Sequence, residues 1–293
     1  MEKVLITGAS GFIGKNLVIE FLNYLDEHKT PFHRVQLLLS CSPRSELSIS
    51  DPRICFVQEP IFSNDKDLFK RLGSPTSCIH LAWKDGFNHR SVEHMQNLSS
   101  HEKFCRTMME SGLKRLAVLG TMHEVGYWQG AIDEKTPCSP ITQYGIAKNA
   151  LRASLLLTAK ETKCNFHWLR AFYITGDEER GNNIFSKLLE ASKKGQEVFP
   201  FTTGKNKYDF INVKELARMI INCTYDNSSD RIINICSGKP VSLAEKVESF
   251  ITDKGLPIKL GYGLYPDRKY DSPAIWGDST IIERIMENTS ISF

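Results

Sequence analysis

The sequence predicts an α/β chain built on a doubly wound parallel sheet, with a smaller C-terminal α/β lobe. Three observations predict it. Apolar runs of strand length alternate with helical patterns through the first half of the chain. Those runs are continuous, as expected of strands buried on both faces. A glycine-rich turn, Gly8 to Gly14, joins the first run directly to the first helical pattern.

Taken in order, Val4–Thr7 reads as a strand and Lys15–Glu27 as a helix. Val35–Leu39 is a second strand, Ile54–Val57 a weaker third, and Cys78–Ala82 a fourth. Glu93–Ser111 reads as one long helix, followed by a strand at Leu116–Gly120. Tyr144–Ala159 repeats alanine and leucine at helical spacing, and Phe166–Tyr173 and Ile232–Ile235 read as further strands. Strand-like Asp209–Ile211 leads into a helix over Val213–Thr224. Parallel strands in sequence need right-handed crossovers, and a doubly wound sheet is the economical arrangement. The expected layout is a nucleotide-binding domain over 1–173 and a substrate-binding lobe over 174–293, with 232–236 returning to the main sheet.

Composition narrows the class. The 293 residues are 41% hydrophobic and 24% charged, which is ordinary globular usage. A formal net charge of +3 gives no reason to expect a nucleic-acid partner. None of the eight cysteines forms a CxxC pair, and their spacing suggests neither a zinc site nor a disulfide framework. Most sit in apolar stretches as free thiols would, which points to a reducing compartment. The chain enters its first strand too early for a signal peptide, and no aliphatic run approaches a membrane span. The expectation is a cytoplasmic protein with no membrane partner and no metal.

Chemistry begins at the turn Thr7-Gly8-Ala9-Ser10-Gly11-Phe12-Ile13-Gly14. One glycine makes the tight turn, one lets the backbone approach a pyrophosphate, and one allows close helix–strand packing. The helix N-terminus then offers unpaired N–H groups to the phosphates. This is the context of a Rossmann dinucleotide site. At the end of the second strand the chain reads Leu39-Ser40-Cys41-Ser42-Pro43-Arg44, and its first carboxylate is Glu46. Binding of NAD usually places an acidic group there for the ribose 2′-hydroxyl. Hydroxyls such as Ser40 and the Arg44 guanidinium suit a 2′-phosphate instead, which favours NADPH while leaving NAD open.

The second chemical motif is Tyr144-Gly145-Ile146-Ala147-Lys148. Residues at i and i+4 share a helical face, so the phenol and the ammonium can meet. A nearby cation is expected to lower the tyrosine toward a useful acid–base range. Thr121 ends the preceding strand, where ligands bind in open α/β sheets, and either assists a reacting carbonyl or merely caps a turn.

These pieces resemble the extended short-chain dehydrogenase/reductases acting on nucleotide sugars, the NAD-dependent epimerase/dehydratase family. TGASGFIG, IHLA at 79–82, Asn97, GTMHEVG, YGIAK, LRAFYITG at 169–176, DFINVKELA at 209–217 and NICSGKP at 234–240 occur in the family's order. The resemblance implies that Tyr144 is the acid–base and Thr121 its hydroxyl partner. It implies that Lys148 holds the nicotinamide ribose, Asn97 the relay water, and Leu81 and Ala82 the cofactor. It also implies a nucleotide-sugar substrate and a homodimer.

Within the family, 4,6-dehydratases carry an Asp–Glu pair where this chain has Met122 and His123, so dehydration is not expected. Two readings remain. One is NADPH-dependent reduction of the C4 ketone of a dTDP-linked 4-keto-6-deoxyhexose, supported by similarity to the family's deoxysugar reductases. The other is NAD-dependent 4-epimerisation. A non-catalytic NADP-binding sensor is a third class, which retention of Tyr144 and Lys148 disfavours. His123 is a sugar contact, an auxiliary acid or a packing residue. Asn183 resembles a substrate-contacting asparagine, and Tyr208 stands where the family often has a diphosphate-binding arginine. Lys205, Lys207 and Arg268 are the candidates to supply that missing charge.

Overall fold

The computed structural model describes residues 1–41, 47–176, 183–228, 232–267, 272–288 and 291. The first half runs β1 (Glu2–Thr7), α1 (Phe12–Glu27), β2 (Val35–Ser40), β3 (Ile54–Val57), α2 (Leu68–Arg71), β4 (Ser77–His80), α3 (Glu93–Gln96), α4 (Leu98–Glu110) and β5 (Arg115–Thr121). A 3-10 turn at Met122–Glu124 follows, then β6 (Gly130–Ile132), α5 (Gln143–Glu161), β7 (Asn165–Ala171) and β8 (Tyr173–Thr175). The remainder comprises α6 (Ile184–Lys193), β9 (Val198–Pro200), β10 (Lys207–Asn212), α7 (Val213–Tyr225), β11 (Ile232–Ile235), β12 (Pro240–Ser242), α8 (Leu243–Asp253), β13 (Lys259–Gly261), β14 (Ala274–Gly277) and α9 (Thr280–Asn288).

Seven strands form a parallel sheet in the order β11-β7-β5-β4-β1-β2-β3. This is a Rossmann-type sheet with helices on both faces. Side chains alternate across a strand, and both sets are buried here. Val4 and Ile6 of β1 pack with Leu17, Phe21, Leu216 and Ile220 of α1 and α7. Leu5 joins Phe104, Met108, Leu151 and Leu155 of α4 and α5 on the other face. Burial on both sides is why the interior strands read as unbroken apolar runs. β3, at an edge, exposes Cys55 and Phe56, which is why its signal was weaker.

The strand order reverses at β1, so β1 and β4 flank the switch point, with Thr7 opposite His80. Ligands bind outside the carboxyl ends of strands at such a point. A second sheet runs β12-β10-β14-β6, with β8 paired to β10. The chain crosses between the two sheets repeatedly. β6, from the first half, joins the second sheet, and β11 pairs with β7 in the first. A small separate core of Phe185, Leu188, Phe201, Val247 and Ile258 gathers α6 and α8.

Asp209 joins these parts. It is fully buried and accepts from Ser237 N (2.8 Å), Ser237 Oγ (2.6 Å), Gly238 N (2.9 Å) and Gly277 N (3.2 Å). One carboxylate thereby ties β10 to the loop after β11 and to the end of β14.

The expected helix over 93–111 is two helices that meet at Asn97. No described helix is long and apolar enough to cross a membrane. The described residues hold no cluster of three metal-ligating side chains. Arg44 and Arg268 lie outside the described residues.

Candidate active site

The Gly8–Gly14 turn leaves β1 and enters α1 at the switch point. Gly8 has φ +70°, and a Cβ there would sit 2.8 Å from the Ala82 nitrogen, so only glycine fits. A Cβ on Gly14 would overlap the Gly8 carbonyl and Ala9, so this glycine seats the helix against the turn. Gly11 differs, because a Cβ there would approach only the Gly8 carbonyl at 3.3 Å. Gly11 is also the N-cap of α1, with no side-chain cap bond and no acidic residue in the first turn. The amide groups of Phe12, Ile13 and Gly14 at a helix start have no intrahelical partner. The turn therefore fits a pyrophosphate.

The turn's neighbours are equally determined. The Ala9 N–H donates to the Ser40 carbonyl (3.3 Å), and the Ser10 hydroxyl pairs with the Cys41 thiol at the end of β2. Leu81 N donates to the Thr7 carbonyl (3.2 Å) and Ala82 N to Thr7 Oγ1 (3.3 Å), which holds the segment after β4 against the turn.

Across the switch point stand Thr121, Tyr144 and Lys148. Thr121 is buried at the end of β5 and caps the 3-10 turn by accepting from His123 N (3.3 Å). Its hydroxyl also hydrogen-bonds the Tyr144 hydroxyl, so the capping role and the chemical role coexist. Tyr144 lies in the first turn of α5, whose N-cap Thr142 accepts from Gly145 N (3.1 Å). The Tyr144 N–H donates to the His89 carbonyl (3.1 Å), which pins the 83–92 loop to the helix start. One turn later Lys148 is buried, and its ammonium donates to the Leu119 carbonyl (2.7 Å).

Electrostatics correct one expectation. Lys148 does not bring Tyr144 down. Burial pushes the tyrosine up to about 12, offset only in part by the Thr121 hydrogen bond. The same desolvation pulls Lys148 down to about 7. A buried ammonium with no counter-ion is itself destabilised, so it has little charge to lend.

Aromatic rings enclose the pair. His89 stacks on Tyr144 at 5.1 Å and 15°, and His123 lies 4.3 Å from His89. Trp83 lies edge-on to Tyr144 at 6.2 Å, and its ring centroid is 3.9 Å from Lys148 Nζ. His94 and His101 complete the enclosure. Burial draws His101 and His123 each down to about 3, so both are neutral at neutral pH. Sequence reasoning missed Trp83, His89, His94 and His101. One signal was available: four of the eight histidines fall between 80 and 101.

Asn97 is not brought to Tyr144. Its amide donates to the Glu93 carbonyl (2.8 Å) and Glu93 Oε2 (2.9 Å) at the break between α3 and α4. Glu124, one residue past the Met122–His123 pair, also turns away. It is fully buried and accepts from Arg170 Nε (2.6 Å) and Trp168 Nε1 (2.9 Å). No carboxylate therefore stands beside Tyr144 on the turn.

A cleft of about 1130 Å³ opens beside this group. His123, Asn183 and Tyr208 all line it. Asn183 does so as the N-cap of α6, its side chain accepting from Ser186 N (2.9 Å). Tyr208 packs against Tyr173 at 4.5 Å and Phe210 at 6.1 Å, so the wall there is aromatic. Arg90 and Lys187 also line the cleft and enter no ion pair among the described residues.

A family model described as the NAD dependent epimerase/dehydratase family matches residues 4–236. The chain belongs to that family. It is 42% identical over 278 residues to a dTDP-6-deoxy-L-talose 4-dehydrogenase (NAD(+)) of Aggregatibacter actinomycetemcomitans, covering 94% of this chain and 98% of that one. A dTDP-6-deoxy-L-talose 4-dehydrogenase (NAD(P)(+)) of Kitasatospora kifunensis is 23% identical over 163 residues, 52% of this chain and 50% of the relative. MoeE5, solved with UDP-glucose and NAD, shares the fold at a TM-score of 0.79 and 22% identity, over 99% of this chain and 94% of MoeE5. Family membership makes the chain an enzyme of this NAD-dependent class.

Proposed function

We propose that this protein moves hydride between a nicotinamide dinucleotide and C4 of a dTDP-linked 6-deoxyhexose, working as a 4-ketoreductase on the 4-keto sugar. The observation that carries the reading is the Thr121–Tyr144 hydroxyl pair, with Lys148 one turn behind it, packed against His89 and His123, which line the cleft. The likeness to named 6-deoxy-L-talose 4-dehydrogenases supports the substrate class.

The bound dinucleotide supplies the hydride and, when oxidised, a positive charge; Gly8–Gly14, Ser40, Leu81, Ala82 and Lys148 would hold it. The protein's own residues do the rest. A phenol raised to about 12 is fully protonated at neutral pH, so Tyr144 Oη is set to donate its proton to the C4 oxygen. Thr121 orients that oxygen through a second hydrogen bond. The rings around Tyr144 exclude water, which strengthens both interactions. With Glu124, the carboxylate of the turn after Thr121, bonded to Arg170 and Trp168, no acid on that turn is placed to remove water from the sugar. Met122 and the aromatic wall of Tyr173 and Tyr208 suit an apolar C6 methyl. Arg90 and Lys187 are the described cations placed to meet the diphosphate that Tyr208 cannot bind.

β2 ends in Ser40 and Cys41, a hydroxyl and a thiol, which supports use of NADP as well as NAD. The relatives named for NAD(+) and for NAD(P)(+) are consistent with both. Resemblance to the family also supports a homodimer.

The test is oxidation of NADPH and NADH with dTDP-4-keto-6-deoxyglucose and its L-lyxo epimer, assayed side by side, with product alcohols identified by NMR. Oxidation with one ketone identifies the reaction and the sugar. No oxidation with either ketone, together with NAD co-purifying on the protein, would overturn the reductase in favour of a 4-epimerase.

A further inference from the structure

The ammonium of Lys148 is buried and donates to one carbonyl, and among the described residues it enters no ion pair. Glu124, the carboxylate that acts on it, is already paired with Arg170 (2.6 Å) and Arg152 (3.8 Å). What faces the ammonium at short range is a π-surface. Lys148 Nζ lies 3.9 Å from the Trp83 ring centroid, well inside cation–π range, and 6.0 Å from that of Tyr144.

Trp83 is itself held by two histidines. Its Nε1–H donates to His94 Nδ1 (3.0 Å). The indole only donates, so His94 Nδ1 accepts and its proton sits on Nε2, which donates to the Asn88 carbonyl (2.8 Å). One indole face stacks on His101 at 4.4 Å and 25°. His101 is fixed in turn by a hydrogen bond between its Nδ1 and His80 Nε2 (2.9 Å), and His80 Nδ1 pairs with Thr7 Oγ1 (2.8 Å) at the end of β1. A continuous bonded and stacked chain thus runs from the glycine turn to the lysine, through neutral rings.

We propose that Trp83 is a positioning residue for the Tyr144–Lys148 pair, its indole face holding the Lys148 ammonium beside Tyr144 and favouring its charged form. The inference rests on the assignment of that pair as the reaction centre. Its physical core is separate, because it concerns which group stabilises a buried cation. The titratable groups around Lys148 are Glu124, Cys105, Tyr144, His80 and His101, and apart from Glu124 all are neutral near pH 7. The indole face therefore adds attraction to that of Glu124, whose carboxylate is shared with two arginines.

The test titrates Lys148 directly in protein without substrate. Lysine carrying ¹³C at Cε is incorporated into wild type, Trp83→Phe and Trp83→Leu, and the Lys148 signal is assigned by its loss in Lys148→Met. Loss of the indole face lowers the Lys148 midpoint by about 0.5 to 1 pH unit in the leucine variant, with phenylalanine between. The alkaline limb of the turnover pH profile, where the ammonium loses its proton, moves down by the same amount. An unchanged midpoint in both variants overturns the proposal, whatever happens to activity. If Trp83→Leu fails to fold, the graded shift in Trp83→Phe decides in the same way. A protein inactive on every nucleotide sugar would still give this titration, so failure of the proposed function is read separately.

Discussion

Burial raises Tyr144 to about 12 and lowers Lys148 to about 7, and these opposite displacements determine what each can do at neutral pH. Tyr144 is a proton donor in waiting, so Tyr144→Phe should lower kcat about 10²- to 10⁴-fold, the usual worth of a positioned acid. Cofactor affinity, measured by fluorescence titration, should stay near wild type. Lys148 carries a stability cost that follows from the same numbers. The unfolded chain keeps its lysine proton to about 10.5, whereas the native site releases it near 7. Between those values the unfolded state binds more protons, so this site's contribution to stability rises with pH from about 7 to 10.5. Wild-type apoprotein should therefore gain Tm from pH 7 to 9 relative to Lys148→Met. Below pH 7 the variant should be the more stable protein by a few degrees, although inactive. Equal pH dependence of Tm in both proteins would show that the native lysine is not desolvated.

At the scale of elements, the turn into α1 separates glycines that shape the backbone from one that leaves space. Gly14 packs the helix on the turn, and a methyl there would overlap the Gly8 carbonyl. Gly14→Ala should therefore destabilise the fold itself, with a clear fall in Tm and loss of dinucleotide binding together. Gly11 meets only a marginal contact at 3.3 Å and sits at the uncapped helix start. Gly11→Ala should fold with little change in Tm while dinucleotide Kd rises at least about tenfold, because the methyl enters the space a pyrophosphate needs. Calorimetry and cofactor titration on the two variants check the contrast. The same scale explains the break at Asn97, where the side-chain amide bonds back to the Glu93 carbonyl and caps a short helix. Such local bonding competes with helix continuation.

At the scale of the molecule, the two sheets meet through Asp209, whose carboxylate serves four donors from two other segments. β10, which carries Asp209, also carries Tyr208 and Phe210 into the cleft wall. Asp209→Ala would leave four donors without this acceptor, the Gly277 N–H fully buried and the Ser237 and Gly238 donors partly so, at a cost of about 1–3 kcal/mol for each one left unsatisfied. It should lower Tm by several degrees and raise the sugar KM together, since the cleft wall loses its anchor. A loss of stability with unchanged KM would show that the cleft is held independently of this junction.

Much was legible before any coordinate. Continuous apolar runs follow from burial on both faces of a parallel sheet, and a glycine turn follows from backbone sterics. Tyr144 and Lys148 share a face because helical spacing is local. These features depend on near neighbours, so the sequence by itself determined the doubly wound class of the sheet, the glycine turn between β1 and α1, and the shared helical face of Tyr144 and Lys148. The tertiary structure alone decided the surroundings. Trp83, His94 and His101 reach Lys148 and Tyr144 from α3, α4 and the loop after β4, and no spacing rule links those segments to α5. It also decided the charge states. Sequence reasoning set a lysine beside a tyrosine and expected attraction, whereas packing removed water from both, and desolvation, which depends on everything that surrounds a group, outweighed the pairwise term.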